Sequence, residues 1–467
     1  MASICTSNVT SAFIDLATFD EIEKYLYGGP DATAYFVRET RKSTWFSQVP
    51  VVLSRASGAP AFGQEWAVSI SRAGDYLLQT WLRVQFPSIT LNATNSIDTN
   101  LVTTTTNARL RWTRNLMHNI IRECCITFND LVAARFDNYH LDFWAAFTVP
   151  AGKRNGYNNM IGNVSTLTNG VGPGSALPAA TLNLPLPFFY GRDSGVALPT
   201  AALPYNEMRI NFSFRDYTDL LILENYTSTA EQRVALTVPT DISTAPVLGA
   251  VQVWANYAIV SNDERKRMAC APRDILIEQV QTAPRQTFAP ATNPQPSYDV
   301  RFSHAIKVLF FSVRNKTWAP EWSNYMTASP VDSGTIVNFT PTGSADPILQ
   351  TSLIYENTNR LAQMGSDYFS LINPWYHAPV IPTDTGYHTY SYSLDFICLD
   401  PMGSTNYGKL TNVSIVPEAS SAAITAAGGG GAPASGANFA QTYEFIITCV
   451  NNNIIRVSGG ALGFPVL

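Results

Sequence analysis

The run Arg192-Asp193-Ser194-Gly195 has the residue types of a nucleophilic serine site. It resembles the Gly-Asp-Ser-Gly-Gly run of trypsin-like proteases, and His118 and Asp137 precede Ser194 in the order that those proteases use. In such a site a histidine takes the serine proton, and glycine amides stabilise the oxyanion. Here Arg192 and Val196 stand where the outer glycines should be, and His118 lies in an apolar run. The pattern therefore favours a turn leading into a strand over a protease site.

Other chemical motifs are weaker. The segment 58–65 has the glycine spacing of a phosphate-binding loop, but Gln64 and Glu65 replace the lysine and hydroxyl residue that such a loop needs. The nearest pair of histidines, His377 and His388, has no third metal ligand nearby in the sequence. Paired carboxylates cannot be recognised from spacing alone. We therefore expect no catalytic residues, no metal and no cofactor.

The charge content is low for a soluble chain of this length. Of 467 residues, 14% are charged, against about 25% in an average soluble domain. The formal net charge is −5, and neither end carries a basic tail. The arginines between Arg109 and Arg122 alternate with apolar residues, which is typical of a strand with one charged face. We expect both a surface covered by partners and loops of neutral polar residues, and no direct contact with nucleic acid.

The cysteines and the N-terminus indicate synthesis in the cytosol. Six cysteines are scattered over the chain without a Cys-x-x-Cys pair, so a disulfide framework is not expected. The first residues lack the basic and apolar regions of a signal peptide. The sequence also has no apolar run of the length that a membrane span requires.

A short helix is predicted near the front of the chain. Thr18 can act as its N-cap with Glu21 as the capping-box partner, and Gly28-Gly29 supplies the stop signal. Ile22 and Leu26 fall on one apolar face with Tyr25. This face could pack under its own domain or dock on a partner, and the pattern does not choose between them.

The rest of the chain has the period-two alternation of strands. Residues 65–86 read as two strands around a turn at Ala73-Gly74-Asp75, the second with Tyr76, Leu78, Thr80, Leu82, Val84 and Phe86 on one face. Residues 208–214 alternate with Met208, Ile210, Phe212 and Phe214 inward. The same pattern returns in 251–260, 305–313 and 442–450. Short strands separated by turn signals predict an all-β sandwich class.

The amount of strand pattern predicts two sandwiches. We place an N-terminal arm at 1–30, a first sandwich at 31–232, a Thr/Pro-rich linker at 233–250 and a second sandwich at 251–467. Four segments read as exposed loops because they lack periodicity or are rich in small and turn-forming residues. They are 90–107, 150–180, 316–346 and 417–439.

Several long segments resemble the major capsid proteins of iridoviruses. They are "FIDLATFDEIEKYLYGG", "DATAYFVRET", "RWTRNLMHNIIRECCITFNDLVAARF", "LPLPFFYGRDSGVALPTAALPYNEMRI", "YENTNRLAQMGSDYFSLINPW" and "DPMGSTNYGKLTNVSI". The resemblance runs from about residue 9 to Leu467 and is greatest to the invertebrate iridescent virus branch. It departs from many relatives at Gly408-Lys409-Leu410, where they carry a Ser-Arg pair.

The resemblance implies a double jelly roll, in which two eight-stranded antiparallel sandwiches stand side by side behind a short N-terminal helix. It further implies a homotrimer of near-hexagonal outline that contacts neighbouring capsomers, minor capsid proteins and a penton protein. The N-terminal arm would face an internal membrane of the virion, and assembly would take place in the host cytoplasm. The residues of the trimer interface cannot be read from the sequence.

Two further expectations are open. A soluble carbohydrate-binding sandwich is the alternative function, because jelly rolls commonly act as lectins and exposed aromatic rings can stack on sugars. Cys5, near the start of the arm, could form an inter-chain disulfide in oxidising surroundings. A disulfide-linked species on a non-reducing gel of virions is the expected sign of that bond.

Overall fold

The computed structural model describes residues 2–97, 108–225, 233–317, 319–327, 346–428 and 440–464, with side chains from Ser7 onward. The chain divides into two compact units, Met1–Trp45 and Phe46–Leu467. The first unit is helical, and the second contains every strand within the described ranges.

The N-terminal unit contains two helices, α1 (Ala2–Ala17) and α2 (Glu23–Leu26). The predicted N-cap role of Thr18 is wrong, because Thr18 directly follows α1 and its hydroxyl donates to the carbonyl of Asp15 at 2.6 Å. The backbone N–H of Asp20 instead donates to the carboxylate of Glu23. The sequence pattern does not predict α1, because Ser and Thr residues interrupt its apolar positions.

Within the described ranges, the second unit contains twenty-five strands. Up to residue 260 they are β1 (Phe46–Val52), β2 (Ser54–Gly58), β3 (Glu65–Ser69), β4 (Tyr76–Phe86), β5 (Ile89–Thr90), β6 (Ala108–Trp112), β7 (Ile121–Phe128), β8 (Leu131–Phe136), β9 (Ala176–Leu177), β10 (Ala180–Pro185), β11 (Met208–Phe214), β12 (Leu221–Asn225), β13 (Arg233–Val234) and β14 (Val251–Val260). Beyond it they are β15 (Arg273–Thr282), β16 (Gln286–Phe288), β17 (Tyr298–Asp299), β18 (Ala305–Asn315), β19 (Ile348–Tyr355), β20 (Thr358–Gly365), β21 (His388–Ser391), β22 (Thr405–Asn406), β23 (Val413–Ala419), β24 (Tyr443–Ser458) and β25 (Ala461–Gly463).

Each half of this unit is an antiparallel sandwich. In the first half, the sheet β1-β14-β4-β10 packs on the sheet β2-β3-β11-β7-β8. In the second half, the path β15-β24-β18-β21 packs on β17-β23-β19-β20. Setting aside β2 and the short additional strands, each sandwich has eight strands in the same order of pairing. The prediction of an all-β double jelly roll is confirmed.

The period-two alternation gives each sandwich its core. Met208, Ile210, Phe212 and Phe214 are buried on β11, as predicted, while the residues between them are mostly half-exposed. One face of each strand enters the core, so burial stabilises the fold by about 25 cal/mol per Å² of apolar surface.

The prediction for residues 65–86 is partly correct. Both strands exist, but β3 and β4 lie in opposite sheets and do not form a hairpin. On β4 the inward residues Thr80 to Phe86 are as predicted, whereas Leu77 is buried in place of Tyr76 and Leu78. A register shift between Asn256 and Tyr257 of β14 leaves Leu78 unpaired and reverses the faces beyond it.

The predicted domain boundaries need correction. Residues 251–260 form β14, which pairs with β4 and β1 in the first sandwich, so their assignment to the second sandwich is wrong. The predicted linker 233–250 also packs within the first sandwich, since β13 pairs with β12 and the buried Asp241 binds Ser96. The chain passes to the second sandwich through a helix at Asn262–Cys270. The first strand begins at Phe46 rather than near residue 31.

The second unit also contains helices within the described ranges, and three of them lie in predicted loops. The helices are α3 (Leu116–Asn119), α4 (Asn138–Thr148), α5 (Ala151–Ile161), α6 (Ser165–Thr168), α7 (Asn262–Cys270), α8 (Asn373–His377) and α9 (Ser421–Ala427), with a π-helical turn at Tyr368–Ile372 before α8. The loop predictions for 150–180 and 417–439 are therefore wrong over α5, α6 and α9. Residues 98–107, 318, 328–345 and 429–439 lie outside the described residues.

Replacing the carboxylate that holds the segment 237–241 tests its place in the first sandwich. Asp241 accepts from the backbone N–H and hydroxyl of both Ser96 and Thr237, all at 2.7–2.8 Å. Because charge-assisted hydrogen bonds contribute about 1.5–3 kcal/mol each and are not additive, Asp241→Ala should lower the free energy of unfolding by about 2–4 kcal/mol. Urea denaturation measures this change. The exposed Asp193→Ala should cost under about 0.5 kcal/mol, and equal effects of the two variants would contradict the assignment.

Candidate assembly surfaces

The three residues of the serine-protease pattern do not form a catalytic site. His118 is buried in α3, where its Nδ1 bonds Asp142 at 2.7 Å and its Nε2 bonds the hydroxyl of Tyr157 at 2.6 Å. Asp137 accepts from the backbone N–H of His140 as the N-cap of α4. Ser194 is exposed, and its hydroxyl lies 3.5 Å from the neighbouring Asp193. His118 is therefore a buried histidine whose two ring nitrogens both have hydrogen-bond partners.

The remaining chemical candidates are structural as well. His388 is buried, and its Nε2 lies within 2.8 Å of both Asp346 and Ser366. A serine triad needs the acid on the other ring nitrogen, so this arrangement cannot relay a proton. Among the described residues, no three His, Cys, Asp or Glu side chains come together as metal ligands. Within the same ranges, no helix has the length and apolarity to cross a membrane.

The two sandwiches are held together by a buried polar network around Asp142. This carboxylate of α4, in the first sandwich, accepts from the hydroxyls of Ser323 and Tyr325 at 2.9 and 2.8 Å, both in the second sandwich. Its other oxygen binds His118. The burial of Tyr325, followed by the charge of Asp142, raises the pKa of the Tyr325 hydroxyl well above its usual range. Tyr325 therefore remains a hydrogen-bond donor.

An aromatic cluster lies in the same contact between the two sandwiches, which we call the joint. Phe143 and Phe147 of α4 stack on Phe310 of β18 with ring centroids 6.0 and 5.5 Å apart. All three rings are buried, and Tyr387 packs edge-on against both phenylalanines of α4. Such pairs add about 0.5–1.5 kcal/mol each beyond the burial of their area. This cluster was not predicted from the sequence, although an aromatic side chain recurs every fourth residue from Tyr139 to Phe147.

Charged groups also cross the joint, and one of them is Arg192 of the Arg192–Gly195 run. Arg192 contacts the carboxylate of Glu278 on β15 at 3.0 Å, and the fully buried Lys307 holds the other oxygen of Glu278 at 2.5 Å. The Arg192 guanidinium also lies 4.4 Å from the ring centroid of Trp144. Because removing one partner of a buried ion pair leaves an uncompensated charge, this set fixes the relative position of the sandwiches. Arg192 therefore helps to hold the two sandwiches of the chain together.

The predicted charged face is buried only in part, since Arg122 stays exposed and Arg109 is half-buried. Arg111 of β6 forms ion pairs with Glu224 at 2.7 Å and Glu321 at 2.6 Å, and all three side chains are nearly inaccessible. Arg114 pairs with Asp384. Arg111 and Arg114 therefore serve ion pairs within the chain.

The N-terminal unit exposes an unusual number of large apolar side chains. Its α1 carries Val9, Phe13 and Leu16 on one face, each more than half exposed. The exposed aromatic residues of this unit are Phe13, Phe19, Tyr25, Tyr27, Tyr35, Phe36 and Trp45. Exposed apolar surface of this extent is a candidate for contact with a protein or a membrane. The side chain of Cys5 lies outside the described residues, and the described cysteines are free thiols.

The sandwiches expose two aromatic groups of their own. The first lies around α8, where Leu371, Trp375 and Tyr376 are 51%, 71% and 73% exposed. The second is the stacked pair Trp81 and Trp254 on the outer face of the first sandwich, with ring planes 9° apart. Both groups are candidates for contact with another protein chain.

Comparisons with known proteins give consistent matches over the whole chain. The family model for the major capsid protein N-terminus matches residues 34–260, and that for the large eukaryotic DNA virus major capsid protein matches residues 264–463. The major capsid protein of Costelytra zealandica iridescent virus is 70% identical over 470 residues, covering 100% of both chains.

Solved structures show the same fold at low sequence identity. The crystal structure of PBCV-1 VP54, fitted into a cryo-EM reconstruction of the virophage Sputnik, matches with a TM-score of 0.73 and 19% identity over 93% of this chain and 100% of that one. The Faustovirus major capsid protein matches with a TM-score of 0.67 and 11% identity over 98% and 99% of the two chains.

The free energy of unfolding should fall in mild acid because of the buried His140 of α4. Burial, followed by the charge of Arg192, lowers the pKa of His140 to about 3 from an unfolded value of 6.5. The unfolded chain therefore binds the extra proton between these values, so this stabilising contribution is complete above pH 6.5 and declines as the pH falls toward 3. Between pH 7 and pH 5 it should decline by about 2 kcal/mol.

The variant His140→Phe removes the titrating group and keeps an aromatic ring in its place. Its loss of unfolding free energy between pH 7 and pH 5 should be about 2 kcal/mol smaller than that of the unsubstituted chain, measured by urea denaturation. An equal loss in both proteins would show that His140 is not the group responsible.

Proposed function

This chain belongs to the family of major capsid proteins of large eukaryotic DNA viruses, and from that premise we propose that three copies assemble into a capsomer of near-hexagonal outline. Its function is that of a major capsid protein, the repeating unit of the capsid of a virion. The proposed partners are two further copies in the trimer, neighbouring capsomers, minor capsid proteins and a penton protein. The proposed place of assembly is the host cytoplasm.

The observation that carries the trimer proposal is the repeat within the chain. Two sandwiches of the same strand order are fixed side by side by the buried contacts of Asp142, Phe310 and Glu278. Three copies of such a rigid pair supply six similar β domains, which can surround one axis in a six-sided outline. Closed cyclic symmetry also covers sheet faces that the single chain leaves exposed.

The N-terminal unit supports the proposed contact with an internal membrane or with minor capsid proteins. A helix that exposes Val9, Phe13 and Leu16 on one side can lie at a lipid surface or on a protein groove. Flotation of the full chain with neutral phosphatidylcholine vesicles distinguishes the two. Membrane contact predicts co-flotation that Phe13→Ser with Leu16→Ser abolishes, and an unchanged sedimenting protein would leave the protein groove as the binding surface.

The alternative functions receive less support. Membership in a structural protein family favours a non-enzymatic role, and the comparisons give no support to a carbohydrate-binding function. The low charge content fits a chain whose surface is extensively covered by partners. An inter-chain disulfide through Cys5 stays a prediction, with the non-reducing gel described above as its test.

The mass of the purified full chain tests the trimer directly. Multi-angle light scattering in reducing buffer should give three times the 51.1 kDa of the chain, and electron images of the same peak should show a six-sided outline. An interface of the obligate class, above about 2,000 Å², should keep the trimer intact on tenfold dilution. A monomer at all concentrations would contradict the proposal.

A further inference from the structure

The two sandwiches share the register of their central strands, β4 with β14 and β18 with β24. Strand β4 and strand β18 both have eleven residues, and each carries an outward aromatic ring as its sixth residue, Trp81 and Phe310. Both strands also have one register irregularity at the same place. It leaves the third residue, Leu78 of β4 or Lys307 of β18, without an opposite residue on β14 or β24. The partner strands follow the same alignment, so that Trp254 of β14 corresponds to Thr448 of β24.

These equivalent faces differ in what covers them. On the second sandwich, the outer face around Phe310 is covered by α4, which belongs to the connection between β8 and β10 of the first sandwich. On the first sandwich, the equivalent face carries the stacked rings of Trp81 and Trp254, which remain partly exposed. Within the part of the chain that the structure describes, no helix stacks on Trp81 and Trp254 as α4 stacks on Phe310.

The second sandwich has a helix in the position equivalent to α4. The connection between β20 and β21 contains the π-helical turn Tyr368–Ile372 and α8, and β21 pairs with β18 as β10 pairs with β4. Phe143 and Phe147 of α4 are fully buried, whereas Trp375 and Tyr376 of α8 are exposed. Residues 368–377 include no Asp, Glu, Lys or Arg, so burying them against a protein face requires no desolvation of a charge.

We propose that α8 of one copy, through Leu371, Trp375 and Tyr376, packs on the Trp81–Trp254 face of the next copy. This contact between chains would repeat the contact that α4 makes within the chain. It is heterologous, because the second sandwich of each copy meets the first sandwich of the next, and such contacts close into a ring when the rotation allows. The inference rests on the proposed trimer and names the surfaces that form it.

The receiving face has the shape and composition of such an interface. Beside Trp81 lies a groove of about 1110 Å³, lined by Pro185 of the sheet and by Trp144 and Met160 of α4 and α5. Polar residues of β4 and β14 surround the two tryptophans: Gln79, Arg83, Gln252 and Asn256. Aromatic anchors inside a polar rim are typical of the energetic centre of a protein–protein interface.

A photo-crosslink locates the contact. The full chain is prepared with benzoylphenylalanine at position 376, mixed with isotope-labelled unsubstituted chain, assembled and irradiated. The expected product joins position 376 to a labelled peptide from 76–86 or 251–260. The same reagent at Tyr205, an equally exposed residue of the first sandwich, is the matched control and should not label these strands.

Other products overturn the inference in distinguishable ways. A trimer in which position 376 links to position 376 of another copy, or to neither strand, would exclude this interface while leaving the trimer itself intact. A sample of monomers would contradict the proposed function and this interface together. In virions, a link from position 376 to a different protein would assign α8 to a minor capsid protein instead.

Substitution of one anchor gives a second readout. Trp375→Asp should weaken trimer association at least about 30-fold, because buried aromatic anchors cost 2 kcal/mol or more when removed. Tyr205→Asp should leave association unchanged. Since both side chains are exposed in the single chain, an unaltered unfolding midpoint of the Trp375→Asp monomer would show that folding is intact. Unchanged association of that variant would contradict the proposal.

Discussion

The architecture depends on how the outer faces of two sheets are covered. A β-sandwich buries the inner faces of its sheets, and any apolar ring on an outer face stays in water until another element packs on it. In this chain the helix α4 extends from the first sandwich onto the outer face of the second, at Phe310. Asp142 and Glu278 then bond across the same joint, so the two sandwiches become one rigid body. Because the pair is rigid, each chain can supply two of the six β domains in the proposed trimer.

Some of the few charged residues of this chain lie inside it, at the contact between the sandwiches. Arg111, Arg192 and Lys307 carry charges that internal carboxylates satisfy. Buried ion pairs add little net stability compared with apolar residues of the same size, but an unpaired member is costly. Such pairs therefore penalise any wrong docking of the sandwiches. A capsid subunit needs this, because an error in its internal geometry would be repeated in every contact of a shell.

The strands and the fold class were predictable because alternation is a local property of the sequence. Residues 208–214 show it without ambiguity, and their burial follows it. The pairing of β14 with β4 was not predictable, since a strand pattern does not identify its partner, and a Thr/Pro-rich segment resembles a linker even when Asp241 pins it to the sandwich. The joint was missed for a related reason. The ring of Phe310 meets α4 from a distant part of the chain, and the aromatic spacing of α4 resembles an ordinary apolar run.

The measurement that tests the central claim most directly is a cryo-electron microscopy map of shells or capsomers formed by this chain, at a resolution that shows side chains. The account predicts one interface type around each threefold axis, with Trp375 and Tyr376 of one copy against Trp81 and Trp254 of the next, in the geometry that Phe143 and Phe147 have on Phe310. A map in which the Trp81–Trp254 face remains open to solvent, or in which α8 contacts its own symmetry mate, would contradict it.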